Sequence, residues 1–142
     1  MTYIDPDRPQ FELFKSLPRV HPIEMLNLVR VRDQAAYPAD HPWAADSLTG
    51  HQAYENYGRD SAPVLKRVGG SILWRGAYQA TLIGPSDEQW DFMFIARYPD
   101  AHAFLAMVKD PDYQRAVIHR QAAVLTSRLI RCAPSETKDQ FA

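Results

Sequence analysis

The hydrophobic positions change period several times along the chain, and each change marks an element. Residues 23–31 (IEMLNLVRV) read as a first strand, with Met25, Asn27 and Val29 on one face and Leu26, Leu28 and Arg30 on the other. Both faces are mostly apolar, as in a sheet covered on each side. After Thr49 the period lengthens: Tyr54, Tyr57, Ser61, Leu65 and Val68 recur at helical spacing. Thr49 and Gln52 have the spacing of a capping box, in which the threonine oxygen accepts the third amide and the glutamine reaches back. Pro63 predicts a kink or a division of this helix, and Gly69-Gly70 ends it, because glycine takes a left-handed cap without steric cost. Alternation returns over 71–83, with a bulge or bend expected near Gly76, and resumes over 90–98 after a turn at 84–87. Asp100 is the expected N-cap of a helix running through Val108. Asp110-Pro111 opens another that reaches about Leu125, and 127–132 is the last strand.

Two segments lack a period. Residues 1–22 form an N-terminal appendage with one short helical stretch, 10–17, carrying Phe11, Leu13, Phe14 and Leu17 and bracketed by Pro18 and Pro22. Residues 33–48 are rich in proline and read as a loop, and loops this long inside a domain are often lids. The folded domain then spans 23–133, with a tail over 134–142. Strand, helix, strand, strand, helix pair and strand make two β-α-β halves. Their joining predicts an α+β fold, a ferredoxin-like antiparallel sheet with helices on one face. The other face is apolar too, with Leu26 and Leu28 set against Met25 and Val29, and Met93 and Ile95 against Phe92 and Phe94. The simplest cover is the sheet of an identical chain, giving a two-fold homodimer. The alternative is that the appendage covers this face in a monomer.

Composition narrows the classes. The chain has 142 residues, 46% of them hydrophobic and 23% charged, which excludes a disordered polymer and fits one domain. Sixteen basic and 17 acidic residues give a net charge of −1 with no basic stripe, which argues against a DNA or RNA partner. Cys132 is the single cysteine, so no internal disulfide and no zinc-finger spacing exist; a small buried hydrophobe is its expected role. The first residues lack the basic start and apolar run of a signal peptide, and no apolar run approaches a membrane span. A cytoplasmic location without membrane contact is the expectation. The five histidines include no close ligand pair, so no metal is expected, and phosphate-loop, HExxH and GxSxG motifs are absent.

A few polar residues interrupt the apolar pattern. Asn27 breaks the face of a central-looking strand, and a buried amide without partners costs about 1–3 kcal/mol. Its partner is either internal or a ligand oxygen. Tyr54 and Tyr57 lie one turn apart; they pack in the core with wet hydroxyls, or they bond a substrate. His51 sits in the same helix's first turn, where the positive dipole end favours a neutral imidazole. Arg97 shares a face with Met93 and Ile95, as half of an ion pair or as a clamp for an anionic substrate. In the last helix Tyr113, Val117, Arg120 and Val124 recur at three- and four-residue spacing, with His119 adjacent.

Five stretches add a resemblance: MLNLVRVR at 25–32, HQAYENYG at 51–58, VGGSILWRG at 68–76, ARYPDAHAFLAMVKDPDYQ at 96–114 and HRQAAVLTSRLI at 119–130. In order and spacing they resemble the family named domain of unknown function 1330, in the dimeric α+β barrel superfamily. The 33–48 loop and the appendage depart from its compact pattern. That superfamily includes cofactor-free oxygenases, haem-degrading oxygenases and lactone isomerases. Haem-degrading members use an asparagine on the first strand, a histidine on a late helix and a tryptophan. Asn27 and His119 stand in comparable positions, whereas Trp43, Trp74 and Trp90 fall in a loop or on strands. No cofactor is therefore expected, with haem as the alternative.

Together these readings predict an apolar pocket between sheet and helices, roofed by 33–48, with polar points at Asn27, Tyr54, Tyr57, Arg97, Tyr113 and Arg120. A small aromatic or carbonyl metabolite is the expected ligand, and His51, Tyr57 or His119 the candidates for moving a proton. The alternative is a dimeric binding or assembly module without catalysis, in which these residues are structural.

Overall fold

The computed structural model describes residues 2–142. Its elements follow in the order α1 (Arg8–Ser16), β1 (Ile23–Val31), α2 (Gly50–Arg67), β2 (Ser71–Gly76), β3 (Phe92–Tyr98), α3 (Ala101–Lys109), α4 (Pro111–Ala123) and β4 (Val124–Cys132). The four strands form one antiparallel sheet in the order β2-β3-β1-β4, the ferredoxin-like arrangement. Register sorts the side chains into two faces. Ile23, Met25, Asn27, Val29 and Val31 of β1 share the helix-covered face with Phe92, Phe94, Ala96 and Tyr98 of β3. Leu26, Leu28, Met93 and Ile95 share the opposite face, half-buried, where among the described residues no helix lies and the 77–91 segment reaches only its rim, at Arg30 and Arg128.

Caps place the helices. Thr49 and Gln52 form the reciprocal capping box of α2, at 3.1 and 3.0 Å. The Asp100 carboxylate accepts the Ala103 amide at 2.8 Å to start α3. Gly50 has a steric reason: a Cβ there would stand 2.0 Å from the Arg32 carbonyl oxygen, so glycine is what lets α2 approach the end of β1.

Several expected boundaries move. α2 runs unbroken through Pro63, whose ring lies on the exposed side, where water can reach the carbonyl left unbonded. α4 ends at Ala123 rather than near Leu125, because the amides of Arg32 and Ala36 take the carbonyls of Ala123 and Ala122 at 2.8 Å; β4 therefore starts at Val124. β2 stops at Gly76, and 77–91 leaves the sheet with Leu82 and Ile83 at 95% and 93% exposure. Cys132, expected to be buried, is exposed at the end of edge strand β4.

Candidate functional site

Two separate apolar clusters fill the space between sheet and helices. One gathers Ile23, Met25, Val64, Tyr98 and Met107, and the other Val29, Val31, Ala53, Tyr54 and Val124. On β1 the clusters meet at Met25 and Val29, and the residue between them is Asn27. The polar interruption of that strand therefore marks a gap in the core. An open cavity of about 1320 Å³ occupies the gap, floored by Asn27 and Phe94 and walled by Tyr54, Tyr57, Tyr113 and Arg120. The side-chain amide of Asn27, a residue of the cavity lining, donates to the Met25 carbonyl of its own strand at 3.0 Å, which leaves its carbonyl oxygen without a hydrogen-bond partner among the described residues.

The phenols are the cavity's best-defined polar groups. The hydroxyls of Tyr57 and Tyr113 lie 2.9 Å apart, joining α2 to α4. One phenol donates to the other, so the acceptor keeps its own proton for a further partner. Burial pushes Tyr54, Tyr98 and Tyr113 well above the ordinary phenol range. Burial raises Tyr57 as well, against the lowering pull of its bond to Tyr113 and of the Arg120 charge. These side chains are thus neutral donors at ordinary pH, suited to stabilising an oxygen that gains charge and unsuited to removing a proton.

Five of the residues singled out from sequence therefore meet around one space: Asn27, Tyr54, Tyr57, Tyr113 and Arg120. Arg120 is already engaged there. It donates to the Ile4 carbonyl at 2.5 Å and to Ser127 Oγ at 3.1 Å, and lies 3.8 Å from Asp5. The other three stand elsewhere. Arg97 is exposed on the face opposite the helices, because its register partners Glu24 and Ser71 are outer-face positions. His51 is half-exposed in a second cleft, 3.7 Å from Asp91. His119 is buried but turned away from the cavity into the 33–48 loop.

That loop does not roof the cavity as expected. It packs on the far side of α2 and α4, where Tyr37, His41 and Trp43 surround the His119 ring. Tyr37 Oη lies 2.6 Å from His119 Nδ1, and Asp60 Oδ2 lies 3.4 Å from Nε2. A carboxylate only accepts, so the neutral ring carries its proton on Nε2 and Tyr37 donates to Nδ1. Burial holds the imidazole below its ordinary value, against the raising pull of Asp60; His41 and Arg59 lower it further. With both nitrogens engaged outside the cavity that Asn27 lines, His119 does not fit as a residue that would hold a haem there.

The cavity's cover comes instead from the N-terminal segment. Tyr3 to Pro6 and α1 line it. Arg131 binds the carbonyls of Phe14 (3.2 Å) and Pro18, while Ser127 accepts the start of the segment by donating to the Tyr3 carbonyl. The aperiodic loop carried the stronger sequence signal, whereas no residue pattern in the appendage announced where it lies. Arg75, which the reading by strict alternation also passed over, faces the cavity from β2.

Fold and cavity define the class: a ferredoxin-like α+β protein with a phenol-lined cavity between its helices and its sheet. The chain belongs to the family described as domain of unknown function (DUF1330), which matches residues 44–131. A protein of unknown function from Rhodopseudomonas palustris is 50% identical, with a TM-score of 0.89 over 96% of this chain and 100% of that one. SnoaB, a cofactor-independent oxygenase from Streptomyces nogalater, shares 15% identity at a TM-score of 0.50, over 84% of this chain and 99% of its own. A putative antibiotic biosynthesis monooxygenase from Caulobacter crescentus shares 14% at 0.50, over 83% and 94%. The last two likenesses show the fold alone. No curated protein sequence matches the chain.

Proposed function

We propose that the protein binds a small aromatic or carbonyl metabolite in the cavity and stabilises negative charge on the ligand's oxygen. The observation that carries this reading is the Tyr57–Tyr113 pair, 2.9 Å apart in a mostly apolar cavity of about 1320 Å³. A phenol that accepts from its neighbour donates more strongly to a third group, and low local dielectric increases the effect. Such a site stabilises an enolate or phenolate once its proton has gone to water or another base outside the phenol pair: an isomerase reprotonates that anion, and an oxygenase lets it react with oxygen. SnoaB, a cofactor-independent oxygenase, is the fold analogy for the second. Asn27 Oδ1 accepts from a ligand hydroxyl and orients it. The acting unit in this reading is a homodimer. The chain exposes 9515 Å², whereas a compact monomer of its mass exposes about 7,500 Å². Part of the excess is the apolar outer face, with Trp74 and Ile130 46% and 47% exposed.

Binding without catalysis is the second reading, and one observation favours it: neither His51 nor His119 lines the cavity, and its phenols are poor bases. The test is a panel of phenols, quinones and β-dicarbonyl compounds added to wild type, Tyr57→Phe and Tyr113→Phe, read by thermal shift and by oxygen uptake. Stabilisation of wild type that both variants lose supports a ligand site; turnover in wild type selects catalysis over binding. Equal shifts in all three proteins would remove the phenols from the site.

A further inference from the structure

A β-bulge decides which side chain of β2 enters the cavity. Ile72 pairs with Ala96 and faces the helices. The register then shifts between Ile72 and Trp74, so Trp74 pairs with Ile95 on the outer face and Arg75 pairs with Phe94 on the inner one. Unbroken alternation from Ile72 would put Trp74 in the cavity and Arg75 outside it. Gly76 accommodates the result, because a Cβ there would stand 2.4 Å from the Trp74 ring lying over it. Arg75 consequently occupies one cross-strand rung with Phe94, Asn27 and Leu129, all on the cavity side. Two strand spacings separate its backbone from that of Asn27, about 10 Å, the length of a substituted aromatic ring.

The charge around the cavity is unbalanced. Five arginines line it against two acids, Asp5 and Glu55, in a chain whose net charge is −1. Four of the arginines are engaged: Arg59 with Asp60, Arg120 with the Ile4 carbonyl, Arg128 with Glu88, and Arg131 with the Phe14 and Pro18 carbonyls. Among the described residues Arg75 has no ion pair, hydrogen bond or ring contact. It is the one cavity guanidinium left open, and the bulge aims it inward.

We infer that Arg75 is the anion-binding residue of the cavity and that the ligand carries a carboxylate on an apolar body of aromatic size. This rests on the cavity being a ligand site. The guanidinium fork binds both carboxylate oxygens, Phe94 underlies the body, and the distal oxygen of the ligand reaches the phenol pair. The sequence offered Arg97 as half of an ion pair or as an anion clamp, and it stands on the other face; in this proposal the clamp is Arg75.

The test compares acids with their neutral isosteres: 4-hydroxybenzoate and 2-naphthoate against the two corresponding carboxamides, titrated calorimetrically into wild type, Arg75→Gln and Arg75→Lys. Wild type is expected to bind each acid about tenfold or more tightly than its amide, the effect of one charge-assisted contact. Arg75→Gln should abolish that preference, lowering acid affinity far more than amide affinity, with Tm unchanged, and Arg75→Lys should recover part of it. Higher salt should narrow the gap in wild type alone. Equal affinities for acid and amide in wild type, or a preference that survives Arg75→Gln, would overturn the inference and leave the cavity as a site for neutral ligands. If none of the four compounds binds, the inference falls together with the ligand-site reading.

Discussion

Replacing Arg120 by alanine separates two roles for a residue that lines the cavity. Its side chain is 12% exposed and donates to the Ile4 carbonyl at 2.5 Å and to Ser127 Oγ at 3.1 Å. Each bond involves a charged donor, a class that contributes roughly 1.5–3 kcal/mol. The Ile4 carbonyl can turn to water once the segment loosens, and Ser127 Oγ still donates to Tyr3 at 2.8 Å, so the lower end of the range applies. The expected loss is about 3 kcal/mol. Unfolding entropy near 2.1 cal/mol/K per residue makes this a fall in Tm of about 10 °C for a chain of this length. Calorimetry of wild type, Arg120→Ala, a chain lacking residues 2–6, and the combination gives a double-mutant cycle. If Arg120 works by holding the segment, the truncation and the substitution together should cost little more than either alone. A Tm within about 2 °C of wild type for Arg120→Ala, or full additivity in the cycle, would refute the anchoring argument and return Arg120 to the ligand.

Three further outcomes follow from the packing. Because burial lowers His119 in the folded chain, the unfolded chain takes up the proton first as pH falls below about 6.5. Stability should therefore decline on acidification from that point until the folded ring also titrates, and His119→Gln should show a shallower decline in Tm between pH 7 and pH 5; equal slopes would contradict the assignment. Gly50→Ala places a Cβ 2.0 Å from the Arg32 carbonyl, backbone that cannot step aside, and should cost at least about 3 kcal/mol in chemical denaturation. On the proposed homodimer, wild type should scatter as twice the 16.2 kDa chain mass, and Leu28→Glu, which charges the outer sheet face without touching the cavity, should scatter as a single chain; a single-chain mass for wild type would refute the dimer, and an unchanged double mass would place its contact elsewhere.

The parts legible in the sequence are those governed by local rules. The capping box at Thr49 and Gln52, the Asp100 cap and the stripe joining Tyr113 to Arg120 depend on spacing along one element, and the structure keeps them. What was not legible depends on a choice between faces. Alternation groups Arg97 with Met93 and Ile95, but with both faces of the sheet apolar it does not say which one meets the helices. His119 stands one residue from Arg120, about 100° around α4, and that rotation turns it from the cavity to Tyr37 and Asp60. A single extra residue in β2 likewise exchanges Trp74 and Arg75 between faces.

These particulars share a cause that bears on where the site is. Asn27 interrupts an apolar strand face, and the bulge interrupts the alternation of β2. Neither helps the sheet as a sheet: an amide in place of a branched apolar residue gives up packing, and a bulge gives up regular pairing. The bulge lies between Ile72 and Trp74, opposite Ala96 and Ile95, and its effect is to set Arg75 on the rung of Asn27, with Phe94 between them; that rung floors the gap between the two core clusters. A second register shift, at Arg30 and Val31 where β1 pairs with β4, lies away from this rung and leaves Asn27 in place. Arg75 and Asn27 thus line, on one rung, the same cavity as the Tyr57–Tyr113 pair, and under the proposed reading the packing given up at both positions serves that arrangement of polar groups. The same argument sets His119 apart: its cluster is closed, with each ring nitrogen engaged, and it consolidates the 33–48 loop while the open donors and the open guanidinium lie on the other side of the helices.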